Sequence, residues 1–264
     1  MLIEIEKSII KKFRKDIWRK FTKAVTDYEL IRDNDKIAVC ISGGKDSFLM
    51  AKCFQEIQKH GKINFELIFL VMDPGYDSLI LKKIKENAQL LNIPIQIFQT
   101  NIFESVQVMK CKSPCYMCAR MRRGYLYAEA KKNGCNKIAL GHHFDDVIET
   151  ILLSMFYNGQ ISTMLPKLRS QNYEGLELIR PLYLVKEESI ITWQKYNNLE
   201  FINCACLLKT NDSKRMVVKK IIKDLKKDIS NIDLNILKSV ENINLDQIMG
   251  YFSKDKNYNY LDEY

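Results

Sequence analysis

No run of this sequence is apolar for the roughly 20 residues that a membrane-spanning helix requires. The stretch Met1 to Arg19 mixes Glu and Lys with Ile and Phe, so it lacks the unbroken apolar core of a secretory signal. Both absences point to the cytoplasm and away from a membrane. No internal repeat stands out, and no linker-like stretch divides the chain. Eight cysteines in such a chain argue against a disulfide framework and for metal or redox chemistry at some of them. The two best-known nucleotide loops are missing as well. There is no Walker A motif, with four residues between its first Gly and Gly-Lys-Ser/Thr, and no Gly-x-Gly-x-x-Gly fingerprint.

What is present is 264 residues, enough for one large or two modest domains, with an ordinary hydrophobic fraction of 47%. The net charge of +9 and the pI near 9.0 suit a polyanionic partner. Apolar residues at helical spacing (Ile5, Ile9, Phe13, Ile17, Phe21, Val25) predict amphipathic helices before the first strand. Strand candidates Lys36–Ile41, Phe65–Met72, Ile95–Gln99 and Lys137–Leu140 then alternate with helical stretches Phe48–Lys59, Leu79–Leu91 and Cys118–Lys132. This alternation predicts an α/β fold with an open, mostly parallel sheet and helices on both faces. Another helix runs to about Tyr157, a strand is expected around Leu176–Leu182, and the chain beyond Val185 reads as mostly helical, with a loose tail after Ser253. The expected organisation is a helical segment at 1–33, a nucleotide-binding domain at 34–200 and a basic helical segment at 201–264, all in one compact unit.

In such sheets ligands bind at the carboxyl ends of the strands. Ser42, Asp73 and Gly141 each follow a predicted strand, so three loops can meet at one rim. Ser42-Gly43-Gly44-Lys45-Asp46-Ser47 follows the first. Its glycines allow a tight turn and close approach to a ligand, and the next helix aims free N–H groups and its positive dipole end at the loop. Such a site suits pyrophosphate. Gly141-His142-His143-Phe144-Asp145-Asp146 closes a later strand and opens a helix. One of its two Asp residues can cap that helix, and the other, taken as Asp146, can hold Mg²⁺ against ATP phosphates.

The cysteines divide by position. Cys40 and Cys53 fall in a strand and a helix and read as small core residues, and Cys135 is equally bland beside Gly134. Cys115 and Cys118 form a Cys-x-x-Cys at a predicted helix start, followed by Arg120, Arg122 and Arg123, a setting that lowers thiol pKa. Structural zinc, a redox pair and an iron–sulfur cluster all remain open for these thiols, with Cys204 and Cys206 as further ligands. Including Cys111 gives the Cys-x-x-x-Cys-x-x-Cys spacing of radical-SAM enzymes. That match reads as incidental, because three predicted strands and a nucleotide loop precede it and Met117 stands in place of the usual aromatic residue.

Ser-Gly-Gly-Lys-Asp-Ser resembles the PP-loop of ATP pyrophosphatases, which transfer AMP to a carbonyl oxygen and release pyrophosphate. The loop, the Cys-x-x-Cys, the Gly-His-His-x-Asp-Asp stretch and a later cysteine, in this order from about Lys36 to about Leu225, resemble the tRNA 2-thiocytidine synthetases (TtcA type). The resemblance implies a tRNA sulfurtransferase that uses ATP, Mg²⁺ and a 4Fe–4S cluster with one open iron for sulfide. Loop residues Ser42 to Ser47, with Asp73, Gly141, His142 and Asp146, would bind nucleotide and magnesium. Asp46 and the thiols of Cys115, Cys118 and Cys206 would be catalytic. Cys204 is the alternative third ligand, because the family's second Cys-x-x-Cys is shortened here to Cys204-Ala205-Cys206. Arg122, Arg123, Lys214 and Arg215, with the basic stretch Lys11–Lys20, would follow RNA phosphates. The implied partners are tRNA, a sulfur donor (cysteine desulfurase or inorganic sulfide) and a second copy in a homodimer. The competing functional class is a PP-loop ligase or amidotransferase with a structural zinc.

Overall fold

The apolar stretch Asp35–Ile41 forms strand β1, buried along nearly all of its length. The computed structural model describes residues 2–109, 114–202, 213–253 and 256–263. Cys111, Cys204 and Cys206 therefore lie outside the described residues. Strands β2 (Phe65–Asp73), β3 (Ile95–Gln99), β4 (Lys137–Ala139), β5 (Lys167–Arg169) and β6 (Glu177–Ile179) join β1 in the order β3-β2-β1-β4-β6-β5. Within this sheet only the β5–β6 pair is antiparallel. A parallel sheet must be covered on both faces, and β1 shows why its sequence is so uniformly apolar. Ile37, Val39 and Ile41 enter one core, while Ala38 and Cys40 enter another with Tyr127 and Ile138. The expected open α/β sheet is the observed one.

The chain winds outward from β1 through β2 to β3, then returns to β4 on the other side of β1. The carboxyl ends of β1 and β4 thus flank the point where strand order reverses, the usual ligand crevice of this architecture. Helices α3 (Lys45–His60), α4 (Ser78–Leu90), α5 (Ile102–Val108), α6 (Pro114–Lys132) and α7 (Phe144–Asn158) follow the strands in turn. Helix α3 starts three residues before the sequence-based expectation, inside the Gly-Gly-Lys motif itself. Helix α6 starts four residues early, which puts both Cys115 and Cys118 in its first turns.

Before β1 the chain forms α1 (Leu2–Lys7), two π-helical segments (Ser8–Lys12 and Arg14–Trp18) and α2 (Arg19–Asp27). The cause is legible in the spacing. Ile5, Ile9, Phe13, Ile17, Phe21 and Val25 recur every fourth residue, and all six are buried. A straight α-helix of 3.6 residues per turn would swing this stripe by about 40° at each step. Wider i→i+5 turns take up that drift and keep the stripe facing the core.

At the amino ends of the strands, Lys137 is 2% exposed. Its ammonium lies 2.9 Å from Asp35 and 3.6 Å from Glu177, and donates to the Leu30 carbonyl at 2.9 Å. These groups border a cavity of about 450 Å³ at the end of the sheet opposite the glycine loop. Removing one partner of such a buried pair leaves the other charge uncompensated. Lys137→Met is expected to lower unfolding free energy by about 3–5 kcal/mol, read as a lower midpoint in chemical denaturation.

The described chain divides into two compact units, one of residues 1–147 and 165–212, the other of residues 148–164 and 213–264. The first contains the sheet. The second contains helices α9 (Ser213–Leu225) and α10 (Ile232–Glu241), which bury Val218, Ile222, Ile236 and Leu237. Where the sequence reading expected a loose tail, β7 (Gly250–Ser253) and β8 (Lys256–Asn259) pair as an antiparallel hairpin. Tyr251 and Tyr258 stack across it with ring centroids 4.5 Å apart, the cross-strand aromatic contact that stabilises such ribbons. Among the described residues no helix is long and apolar enough to cross a membrane.

Candidate active site

The loop after β1 is built by its own side chains. Gly43 has φ +91°, which a side chain disfavours, and a Cβ there would sit 2.9 Å from Ile84 Cγ1. Ser47 Oγ accepts from the Ser42 N–H at 3.2 Å and donates to the Gly44 carbonyl at 2.9 Å. No side chain caps α3, whose N-cap is Gly44, so its first N–H groups point at the crevice. The loop after β4 presses directly on this turn. A Cβ on Gly141 would lie 3.2 Å from the Ser47 nitrogen, so glycine permits the two loops to touch.

Lys45 Nζ lies 3.2 Å from Asp46 Oδ1 and 3.0 Å from Oε1 of Glu187, the first residue of α8 (Glu187–Tyr196). Burial works to lower the Lys45 pKa, but the two carboxylates outweigh it and the net shift is upward. Burial raises the Asp46 pKa, with Lys45 and the neighbouring His143 only partly offsetting it.

Both aspartates of the second motif have structural work. Asp146 Oδ2 accepts from the His143 N–H at 3.1 Å, and His143 Nδ1 accepts from the Asp146 N–H at 3.4 Å, a reciprocal cap on α7. Asp145 Oδ2 accepts from the Glu187 N–H at 2.7 Å and so caps α8. Asp73 accepts from the N–H groups of Gly75 (3.0 Å) and Tyr76 (2.8 Å), which shapes the turn that presents Tyr76. Among the described residues no group of three or more His, Cys, Asp or Glu is arranged to hold a metal.

A cavity of about 430 Å³ joins these loops to the cysteine helix. Ser42, Asp46 and Ser47 line one side, Gly141, His142 and Asp146 another, and Ala119, Arg122, Arg123 and Tyr127 of α6 a third. Arg122 is only half-buried, yet its guanidinium points inward and donates to the Tyr76 hydroxyl at 3.1 Å. Burial raises the pKa of Tyr76, and Arg122 opposes that rise. Cys118, one turn before Arg122, is buried with Met72, Ile102, Phe103 and Val106. Cys40 also borders the cavity, but burial pushes its thiol up to about 12, so it is an inert wall. Lys214 and Arg215 sit in the second unit, where Lys214 lies 4.8 Å from the Tyr157 ring centroid and Arg215 lies 2.9 Å from the buried Glu149.

Of the residues singled out from sequence, the structure brings together Ser42, Asp46, Ser47, Gly141, His142, Asp146, Arg122 and Arg123. Asp73 does not line the cavity; it holds the turn that presents Tyr76 there. Glu187, Tyr76 and Tyr127 were not legible. Glu187 is 142 positions from Lys45, and an acidic residue in a first helical turn ordinarily signals only the helix dipole.

Comparison with known proteins supplies the family. A model described as a PP-loop domain matches residues 13–225. The chain belongs to the PP-loop family. A relative from Coxiella burnetii, named tRNA-cytidine(32) 2-sulfurtransferase, is 35% identical over 246 residues, covering 91% of this chain and 94% of its own. Another from Francisella philomiragia, tRNA-cytidine(32) 2-sulfurtransferase 1, is 37% identical over 239 residues, covering 89% and 92%. Among solved structures, the U34-tRNA thiolase NcsA from Methanococcus maripaludis, with its 4Fe-4S cluster, superposes with a TM-score of 0.70 at 23% identity. That match covers 89% of this chain and 79% of NcsA, and it supports the PP-loop fold found here.

Proposed function

We propose that this PP-loop protein is an ATP-dependent tRNA sulfurtransferase that converts a cytidine to 2-thiocytidine, at position 32 as the names of its relatives specify. The observation that carries this reading is the shared cavity. The phosphate-binding loop and the helix bearing Cys-x-x-Cys form walls of one chamber, so base activation and sulfur delivery have a common place to act.

The C2 oxygen of a pyrimidine is a poor leaving group. Its attack on the α-phosphorus of ATP forms an adenylate and releases pyrophosphate. Sulfur attack at C2 then expels AMP, which carries away the original oxygen. The free N–H groups of α3 and the Lys45 ammonium suit the pyrophosphate. Asp46 Oδ1 is buried and makes no well-aligned hydrogen bond, and Asp146 shares its cavity. These two carboxylates fit Mg²⁺, which takes one or two such ligands beside phosphate oxygens. Arg122, held by Tyr76, presents fixed positive charge to the AMP phosphate.

Cys115 and Cys118 stand three residues apart in the first turns of α6, a donor set that fits two corners of a 4Fe–4S cluster, with Cys206 or Cys204 as the third ligand. Such a cluster supplies an iron position for the transferred sulfur. The target is tRNA, whose base must be unstacked to enter the chamber, and the +9 charge suits that polyanion. A cysteine desulfurase or inorganic sulfide is the sulfur source, the assembly is a homodimer, and the compartment is the cytoplasm.

The decisive experiment is mass spectrometry of tRNA nucleosides from a strain lacking the gene. Loss of 2-thiocytidine, restored by the wild-type gene, is expected. Unchanged 2-thiocytidine would sink the reading, as would zinc in place of iron in anaerobically purified protein.

A further inference from the structure

We propose that Glu187 is a positioning residue of the PP-loop: its carboxylate is the counter-ion that holds Lys45 in the empty site and yields it to pyrophosphate when nucleotide binds. Lys45 Nζ is 3.0 Å from Glu187 Oε1, and the two side chains are 20% and 27% exposed. The partner is held in place by its own backbone, because the Glu187 N–H is bound to Asp145 Oδ2 at 2.7 Å. The backbone of Glu187 therefore cannot drift away without uncapping α8. On its other side, Glu187 Oε1 is 4.0 Å from His143 Nε2, which is itself 3.5 Å from Asp146 Oδ2.

The charge balance gives the pair its consequence. Asp46 and Glu187 flank Lys45, so the lysine that must receive a polyanion is already engaged by carboxylates. An incoming phosphate chain must take Lys45 from Glu187 and also meets the Glu187 charge. The ion pair thus opposes nucleotide binding in the ground state. The same carboxylate, drawing Lys45 back, favours release of pyrophosphate after adenylation. A residue of this kind limits affinity and aids turnover.

The test is calorimetric titration of the full-length protein with inorganic pyrophosphate and with ATP, in the presence of Mg²⁺, for wild type and Glu187→Gln. The substitution is expected to tighten both by about two- to fivefold, the range for losing one partly exposed charge interaction. Adenosine, which carries no phosphate, should bind unchanged. Turnover should fall through slower pyrophosphate release, lowering kcat and KM for ATP together. Glu187→Asp leaves the backbone cap on α8 and shortens the side chain by one methylene, so it should show a smaller gain in the same direction. A residue needed only for folding would weaken ligand binding when altered. Weaker or unchanged pyrophosphate binding in either variant overturns the role of Glu187. The inference rests on the pyrophosphate-binding part of the proposed function, and the titration contains no tRNA. A chain that thiolates nothing would still show the gain, whereas a wild type that binds no pyrophosphate would overturn both.

Discussion

Asp46→Ala is expected to reduce ATP-dependent release of pyrophosphate by about a hundredfold or more, the scale of losing one preorganised electrostatic group. Iron content should stay at the wild-type level, because Asp46 lies on the loop side of the cavity and the cysteines on α6. A companion measurement on Asp46→Asn distinguishes lost chemistry from lost folding. Burial raises the folded-state pKa of Asp46 above its ordinary value. Stability from this group is therefore fully present below the unfolded pKa and is lost as pH rises through the folded one. Above the folded pKa the ionised carboxylate destabilises the empty protein. Asp46→Asn should then melt higher than wild type at pH 7 while remaining inactive. Near-normal turnover would remove the loop from the mechanism, and a lower melting temperature would refute the electrostatic account.

Cys118→Ala is expected to abolish iron binding and thiolation together, and Cys115→Ala should do the same. Neither should change ATP binding, since the loop and the N-terminus of α3 are untouched. Cys206→Ala is expected to match them; if Cys204→Ala loses iron instead, the third ligand is Cys204 and the chemistry stands. Cys111→Ala should retain its iron, because a fourth protein thiolate would block the open position. Cys40→Ala and Cys53→Ala should keep both cluster and activity. Cys53 is fully buried, and burial raises its pKa, as it does for Cys40 and Cys135, so none of the three offers a thiolate near neutrality. Iron retained by Cys118→Ala would break the assignment.

The sheet was legible because strand pattern and burial say the same thing: β1, β2 and β3 each lie within a residue of their expected limits. Element ends were less so. Helix α3 begins at Lys45 because Gly43 completes the turn early, and apolar spacing does not register that. The short strand β5 is not legible in the sequence, since three residues of an antiparallel edge carry no period. In the site, the loop and the Gly141 stretch were readable as contiguous motifs. The inward turn of Arg122 was not, because an arginine after Cys-x-x-Cys reads equally well as a surface charge. Only its hydrogen bond to Tyr76, 46 positions away, settles the direction.

The four-residue stripe of the N-terminal helices also bears on how this protein tolerates change in length. Each π-helical segment behaves as an α-helix carrying an inserted residue, with the extra one absorbed as a wider turn. Deleting one codon between Phe21 and Val25, inside the regular helix α2 where no wider turn can absorb the loss, would rotate everything upstream by about 100°. Ile5 and Ile9, now 2% and 0% exposed, would turn toward solvent, and Glu6 would leave the 2.6 Å contact it makes with Lys52. Point substitutions along the exposed side of this run should be nearly silent, while single-residue insertions and deletions should be purged. In a library of length variants, survivors are expected to carry compensating pairs that restore the original count.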